Sequence, residues 1–472
     1  MLTGTKKRLL TLALPLIFLL TFALRVPSLF EPLWYGDEGI SLAVAQAIRR
    51  GALLYRDIHD NKPPLFYLLL ALQPTLLWAK VLTTLLALLA QGMVYLLARK
   101  LLSRRGALIA ALCFGVLAAV PPLEGNIANG EIFFLFPVTL GFFLGAESGF
   151  WRSLGAGACF ALATLLKIPA VFDFLAFLAF WFLVAPRPRQ RRSLIFLLVG
   201  FALPWLLVLA YFAARHALPF FLDSVVFYNL RYVGVGEGLF PFSAKLPLLV
   251  LLLLAVFSAR TFRSRLSSTA SFLLLWFPFS LAGALLSGRP YPHYLLQALP
   301  SLTLLCGLVF SRHPLRRRLF GLSLVVFFFT LLGFLPFYRY YLFSYYQNFG
   351  DYWRGAKSVT EYRDYFDWRT TRKYALAQYV RENTALGAPI LVWGNEPGLY
   401  FLAARPPATK FVAHYHVTQA AKEEELRGQL TLNPPVFIIV TGDAPALLPE
   451  DLSLYQLTEE FAGAQIFARR TD

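Results

Sequence analysis

The feature that most constrains this chain is a succession of apolar runs, each about as long as a bilayer core is thick, broken by short connections that carry the charge. Crossing about 30 Å of hydrocarbon takes roughly 20 apolar residues in a helix, the form in which a lone segment satisfies its own backbone hydrogen bonds. Runs near 9–28, 65–97, 106–122, 132–147, 153–185, 194–214, 246–258, 269–287, 293–310 and 319–337 fit this pattern. With 58% hydrophobic and 15% charged residues, and a mean hydropathy of +0.59, the chain is not a soluble globule. The expected class is a polytopic α-helical membrane protein.

A net charge of +18 raises the question of nucleic acid. The placement of the charge answers it. Basic residues come in tight groups between apolar runs: Lys6, Lys7 and Arg8; Arg99, Lys100, Arg104 and Arg105; Arg187, Arg189, Arg191 and Arg192; Arg260, Arg263 and Arg265; Arg312, Arg316, Arg317 and Arg318. These groups fall on alternate connections, the positive-inside signature of a multi-span protein, so no nucleic-acid partner is expected.

Taking those connections as cytoplasmic fixes the rest. The run 65–97 is too long for one crossing, so Leu65 to Pro74 reads as a re-entrant or interfacial piece. The run 153–185 reads as two short crossings with Lys167 at an outer turn. The count is about eleven crossings, with a cytoplasmic amino terminus and an extracytoplasmic carboxy terminus. The first run, Leu9 to Ala23, has no small-x-small cleavage site after it and reads as an uncleaved signal anchor. Cys113, Cys159 and Cys306 lie inside apolar runs without paired spacing and read as small buried residues.

After Leu335 the composition turns charged and amphipathic. The expected organisation is therefore a membrane domain, 1–337, and an extracytoplasmic soluble domain, 338–472. In the latter, Ile390–Trp393 and Val436–Val440 read as buried strands, and Arg369–Asn383 and Thr418–Gln429 as helices. That alternation predicts a small α/β layer with a parallel sheet. Asn395-Glu396-Pro397-Gly398 follows the first strand, where open α/β sheets bind ligands, although Pro and Gly there also make an ordinary turn.

The residues able to do chemistry concentrate in the outer loop 29–63 and the stretch Trp34 to Tyr67. Ile40, Leu42, Ala43, Ala47 and Ile48 recur at helical spacing, predicting an amphipathic helix lying on the membrane surface. Just before them stand Asp37 and Glu38, carboxylates able to take a proton from an acceptor hydroxyl or amine, or to hold a divalent cation beside a phosphate. Asp57, His59 and Asp60 are residue types that ligate metals or relay protons, and form the candidate metal set, though their spacing matches no known metal signature. Lys62 precedes Pro63 and Pro64, which restrict the backbone and would hold the cation in place at the membrane boundary. Other polar residues fall on the same outer face: Asn126 and Glu131 in the second outer loop, Lys167, Arg231, and Arg289 and His293 in R-P-Y-P-H-Y. Charges at membrane depth are costly and line cavities or pair there, and a cation set of this kind suits a phosphate.

Four blocks, Y-G-D-E-G, Y-R-D-I-H-D-N-K-P-P-L-F-Y, N-I-A-N-G-E-I-F-F-L-F-P and R-P-Y-P-H-Y-L-L-Q-A-L-P, together resemble the signature blocks of GT-C glycosyltransferases. The nearest branch is that of bacterial proteins similar to protein O-mannosyltransferases and the lipid A aminoarabinose transferase. The resemblance covers about 1–337; the segment 338–472 carries no block of a particular branch. It implies transfer of a sugar from a polyprenyl-phosphate carrier, with inversion, onto a glycolipid, glycan or protein acceptor at the outer face of a plasma (inner) membrane. By matching positions, it implies Asp37 as the catalytic acid/base residue with Glu38 beside it, Lys62 on the carrier phosphate and Glu131 as the acid of the second outer loop. A divalent metal is compatible with this chemistry, and the lipid-linked sugar is a substrate rather than a cofactor.

Two readings from other classes compete. A transporter or flippase of a lipid-linked saccharide needs polar residues along a path across the bilayer, whereas these spans are rich in Leu, Phe and Val and their ionisable residues gather at one face. A non-catalytic scaffold would depend on 338–472 and be indifferent to Asp37 and Lys62.

Overall fold

In the computed structural model of the chain, the described residues are 4–147, 149–183, 190–234, 246–261, 268–311, 314–334, 340–418, 422–442, 444 and 454–470. Arg187, Arg189, Arg263, Arg265, Arg312, the boundary at 337/338 and residues 419–421 of an expected helix lie outside them. Among the described residues, five helices are long and apolar enough to cross a membrane: Leu12–Phe30, Leu76–Leu101, Arg192–Ala214, Ser268–Leu285 and Pro292–Val309. Shorter apolar helices cover Gly130–Gly145, Phe150–Leu166, Ile168–Leu183 and Leu249–Thr261. The protein is a helical membrane protein with a small sheet near its carboxy terminus.

The two long runs break as their sequences suggest. Pro63 caps and Pro64 opens the helix Pro64–Ala71, proline's fixed φ suiting a first turn, and a separate helix, Leu76–Leu101, follows. The helix Phe150–Leu166 stops at Lys167, whose backbone is extended, and Pro169 starts a 3₁₀ turn leading into Val171–Leu183.

The chain forms two compact units. One comprises Met1–Leu29, Lys80–Tyr211 and Leu230–Leu342; the other comprises Phe30–Ala79, Phe212–Asn229 and Phe343–Asp472. This differs from the split at 337/338 expected from composition, because the first outer loop shares a unit with the carboxy-terminal segment.

In the first unit, small residues let helix backbones meet, as in membrane helix packing generally. A Cβ on Gly157 would lie 2.0 Å from the Leu197 carbonyl, and one on Gly200 2.1 Å from the Leu154 carbonyl, so Phe150–Leu166 and the helix Gln190–Ala214 touch backbone to backbone. One buried carboxylate is satisfied by a set of donors. The Asp173 carboxylate accepts from Trp276 Nε1 and Ser280 Oγ, both at 2.7 Å, and from Gln297 Nε2 at 2.8 Å. Gln297 also donates to the Pro169 carbonyl at 2.8 Å, which fixes the segment carrying His293.

In the second unit a four-stranded sheet has the order β1-β2-β4-β3, with β1 Ile390–Trp393, β2 Phe437–Thr441, β3 Tyr455–Phe461 and β4 Ala464–Arg469. β1 and β2 are parallel, as their buried apolar character suggests, while β4 runs antiparallel to β2 and β3 to β4. The sheet is therefore mixed rather than wholly parallel. The helices Thr370–Asn383 and Glu423–Leu432 accompany it, and Trp393, Phe411, Val417 and Leu426 form one apolar core.

The helix expected on the membrane surface is observed at Gly36–Arg49, but it is packed within this unit. Ile40, Leu42, Ala43, Val44 and Ala45 are buried, and the helix packs against Pro64–Ala71 and Gly398–Ala403. The approach is close enough that a Cβ on Gly39 would lie 2.7 Å from the Gly398 nitrogen. This is what the N-E-P-G turn does structurally: Gly398 lets its helix meet the helix that carries Asp37. The apolar face seeks protein rather than lipid because a partner helix is available to it.

Candidate active site

The first outer loop builds one cluster. Tyr35 is extended and leads into the helix Gly36–Arg49, so Asp37 and Glu38 occupy its first turn, where backbone N–H groups and the helix dipole attract negative charge. Glu38 is buried; the Asp37 side chain keeps 37% of its exposure. Lys62 Nζ lies 3.6 Å from Asp37 Oδ2 and 3.4 Å from Asp60 Oδ2, with the lysine side chain only 10% exposed. The ammonium thus sits between two carboxylates, of which Asp37 is the accessible one. The Lys62 carbonyl is held as well, accepting from Tyr55 Oη at 2.8 Å.

Asp60 is the anchor. Its Oδ1 accepts from the Asn61 backbone N–H at 2.7 Å and faces His416 Nε2 at 3.4 Å, while its Oδ2 accepts from the Tyr67 hydroxyl. Burial, the largest single influence, pushes its carboxyl up, but Lys62, His416 and Tyr67 together outweigh it and hold the group well below the usual carboxylate range. His59 lies alongside, with Nδ1 3.1 Å from Ser224 Oγ and its ring edge-on to that of His416 at 5.2 Å. Burial above all, with His416 and Lys410 adding to it and Asp60 and Asp223 opposing, pulls His59 down to about 3, so it is a neutral imidazole at physiological pH.

Asp57 faces elsewhere, accepting from Arg56 Nε at 2.7 Å and from the Leu53 backbone at 2.9 Å. Among the described residues no three His, Cys, Asp or Glu side chains converge as metal ligands. Asp57, His59 and Asp60 therefore do not form the ligand set considered from sequence. Asp60 instead holds a lysine, because Lys62 lies two residues along the same loop.

The second cluster belongs to the other compact unit. Glu131 lies in the first turn of Gly130–Gly145, buried, and is paired with Lys167 Nζ; His293 Nε2 is 4.0 Å from it. His293 is gripped from its other side by Glu124, whose carboxylate accepts from the His293 backbone N–H at 3.3 Å and contacts Nδ1. Lys167 also stands 4.7 Å from the Tyr294 ring centre. Lys80 donates to the Asn126 carbonyl at 3.1 Å and so fixes the loop before Glu131. Arg289 is half-buried just before His293, and Arg231 has an exposed side chain on the helix Tyr228–Gly234.

The candidate residues thus fall into two sets, Asp37, Glu38, His59, Asp60 and Lys62 in one unit, and Asn126, Glu131, Lys167, Arg231, Arg289 and His293 in the other. Sequence reasoning did not single out Tyr67, Ser224 or His416 around Asp60, nor Glu124 as the holder of His293. Lys80 carried a readable signal: it is the only charged residue between Lys62 and Arg99, within an apolar run, and such residues are paired or functional.

Comparison with known proteins accords with this picture. Residues 61–212 match the family described as dolichyl-phosphate-mannose-protein mannosyltransferase. Among curated proteins none matches the chain. Among solved structures, ArnT from Cupriavidus metallidurans bound to undecaprenyl phosphate is similar at a TM-score of 0.56 and 13% identity, over 96% of this chain and 97% of that one. AglB from Archaeoglobus fulgidus, an archaeal oligosaccharyltransferase in complex with an inhibitory peptide and a dolichol-phosphate, is similar at 0.50 and 14% identity, over 93% of this chain and 70% of that one. The protein therefore shares the overall fold of these two solved structures.

Proposed function

We propose that this protein is an integral-membrane glycosyltransferase that moves a sugar from a polyprenyl-phosphate carrier to an acceptor at the extracytoplasmic face, with inversion, and that Asp37 is its base. The observation that carries this reading is the pairing of an accessible carboxylate, Asp37, with a lysine immobilised by a buried second carboxylate. In a single displacement, the acceptor oxygen or nitrogen forms the new bond to the anomeric carbon and gives its proton to Asp37. The bond from that carbon to the carrier phosphate breaks, and the phosphate leaves with the electron pair. Lys62 meets the charge that develops on it, an electrostatic role that needs a fixed cation more than a strong one.

Lys167 and His293 are assigned to the donor phosphate with Lys62, and like Lys62 each is held by a carboxylate, Glu131 and Glu124 respectively. Glu131, with Asn126, is assigned to the acceptor side, and Arg231 and Arg289 to the donor phosphate. The inner membrane, a cytoplasmic amino terminus and an acceptor that is a glycolipid, glycan or protein belong to the same proposal.

The test is transfer of labelled sugar from a polyprenyl-phosphate donor by purified wild type, Asp37→Asn and Lys62→Ala. General-base catalysis contributes about 10²–10⁴-fold, so Asp37→Asn should lose that much turnover while folding normally. Undiminished turnover in Asp37→Asn would remove the assignment.

A further inference from the structure

The second unit also carries a cavity lined by residues outside the Asp37–Lys62 cluster. A cavity of about 310 Å³ opens beside β1 and β2, where Thr441 ends β2 and Glu396 follows β1. This is the carboxyl edge of two parallel strands, where open α/β sheets bind ligands. One wall is the start of the helix Thr370–Asn383 and the residues before it, which contribute Trp368, Arg369, Arg372 and Lys373; the opposite wall includes the turn Ala462–Gly463 between β3 and β4.

The lining is basic and ordered. Glu396 pairs with Lys373 Nζ at 2.6 Å and lies 3.5 Å from Arg369 Nη1, while Arg369 is held more closely by Asp367 at 2.8 Å, so these two cations are matched by two carboxylates. Arg372 is the third. Its guanidinium is 4.7 Å from the centre of the Trp368 ring, and Nη1 lies 3.6 Å from where a Cβ on Gly463 would stand. Among the described residues no carboxylate is paired with it. A guanidinium placed over an indole ring is a fork oriented for a phosphate or carboxylate.

We propose that this cavity binds an anionic sugar unit, a pyranose carrying a phosphate or a carboxylate, as part of the acceptor. The anion component follows from Arg372, the cation left over once Glu396 and Asp367 are matched with Lys373 and Arg369. The sugar component rests on the transferase reading, together with the cavity's size, which falls at the small-ligand end of protein pockets, and the exposed Trp368 at its rim.

The experiment is calorimetric titration of the full-length protein in detergent with glucose 1-phosphate, glucuronate and uncharged glucose; it needs no transfer. Either anion should bind and glucose should not, the better anion identifying the class. Loss of one charge-assisted fork is worth roughly tenfold or more in affinity. Arg372→Gln should therefore weaken binding by that factor, with Arg372→Lys intermediate and Lys62→Ala equal to wild type. Absence of binding by wild type, or equal binding by Arg372→Gln, overturns the proposal. So does loss in Lys62→Ala, which would place the anion at the carrier site instead. Undiminished transfer in Asp37→Asn would overturn the assignment of Asp37 and leave the binding result standing.

Discussion

Asp60 is the residue whose removal separates a positioned lysine from a merely charged one, and its effect can be worked from the geometry. In Asp60→Asn the amide keeps the shape of the carboxylate. Its oxygen takes the Oδ1 position, where the Asn61 N–H requires an acceptor, so the NH₂ falls at Oδ2 beside Lys62 Nζ and the Tyr67 hydroxyl. Tyr67 can rotate its proton away and accept; the ammonium cannot. Lys62 then faces a donor where it had an anion and retains the half-exposed Asp37 at 3.6 Å. Breaking a buried ion pair from one side costs about 3–5 kcal/mol, and the retained Asn61 bond and the Asp37 contact put this case at the low end, about 3 kcal/mol.

Two assays read it. Thermal unfolding in detergent, followed by tryptophan fluorescence, should show a clear drop, and carrier binding should weaken as Lys62 gains freedom. The double variant Asp60→Asn with Lys62→Met should be no worse in unfolding than either single change, because the two residues act on one another. Acid provides a further check. A carboxyl held low in the fold stabilises it above about pH 4, and that contribution is lost as the pH falls further, so the variant should have a flatter stability profile there. Unfolding and carrier affinity equal to wild type in Asp60→Asn would refute the claim that Asp60 anchors Lys62.

Two further outcomes follow from the same unit. His59 titrates near 6.5 when unfolded and near 3 when folded, so the unfolded chain binds the extra proton between those values. Stability is then full above pH 6.5 and falls as the pH drops, by about 2 kcal/mol on going to pH 5; His59→Gln should abolish that slope, and an unchanged slope would show that His59 is not the buried neutral base. Gly39→Ala drives a methyl to 2.7 Å from backbone at Gly398 and should cost about 1–3 kcal/mol in unfolding, whereas Gly36→Ala, with nothing within 4 Å, should cost far less.

What the sequence made legible was whatever depends on neighbours along the chain. The apolar runs, the Pro63-Pro64 start of a helix, the break at Lys167-Ile168-Pro169 and the apolar strands β1 and β2 are all local, and each was readable from composition or spacing. The hairpin β3–β4 was not. Gln456, Leu457, Thr458, Glu459 and Glu460 are exposed, so no apolar period marks that strand. The partners of the site were hidden for another reason. His416 reaches Asp60 and Glu124 holds His293 across long stretches of chain, and no pattern in either neighbourhood announces its counterpart.

Both clusters nonetheless obey one arrangement, which the sequence displays in halves. Asp37 and Glu131 each stand in the first turn of a helix, and each is met by a lysine at a point where the backbone is prevented from wandering: Lys62 before two prolines, Lys167 in the extended residue between two helices. An acid at a helix start is a common and uninformative feature, and so is a lysine near a membrane boundary. Their combination is informative because each lysine is almost wholly shielded from water, at 10% and 15% side-chain exposure, where an unpaired charge is costly. Burying that charge is tolerable only because carboxylates stand opposite, and those carboxylates are thereby fixed in place. The placement of two lysines, rather than the number of acids, is thus what distinguishes Asp37 and Glu131 from the chain's other acids as candidates for the proposed transfer.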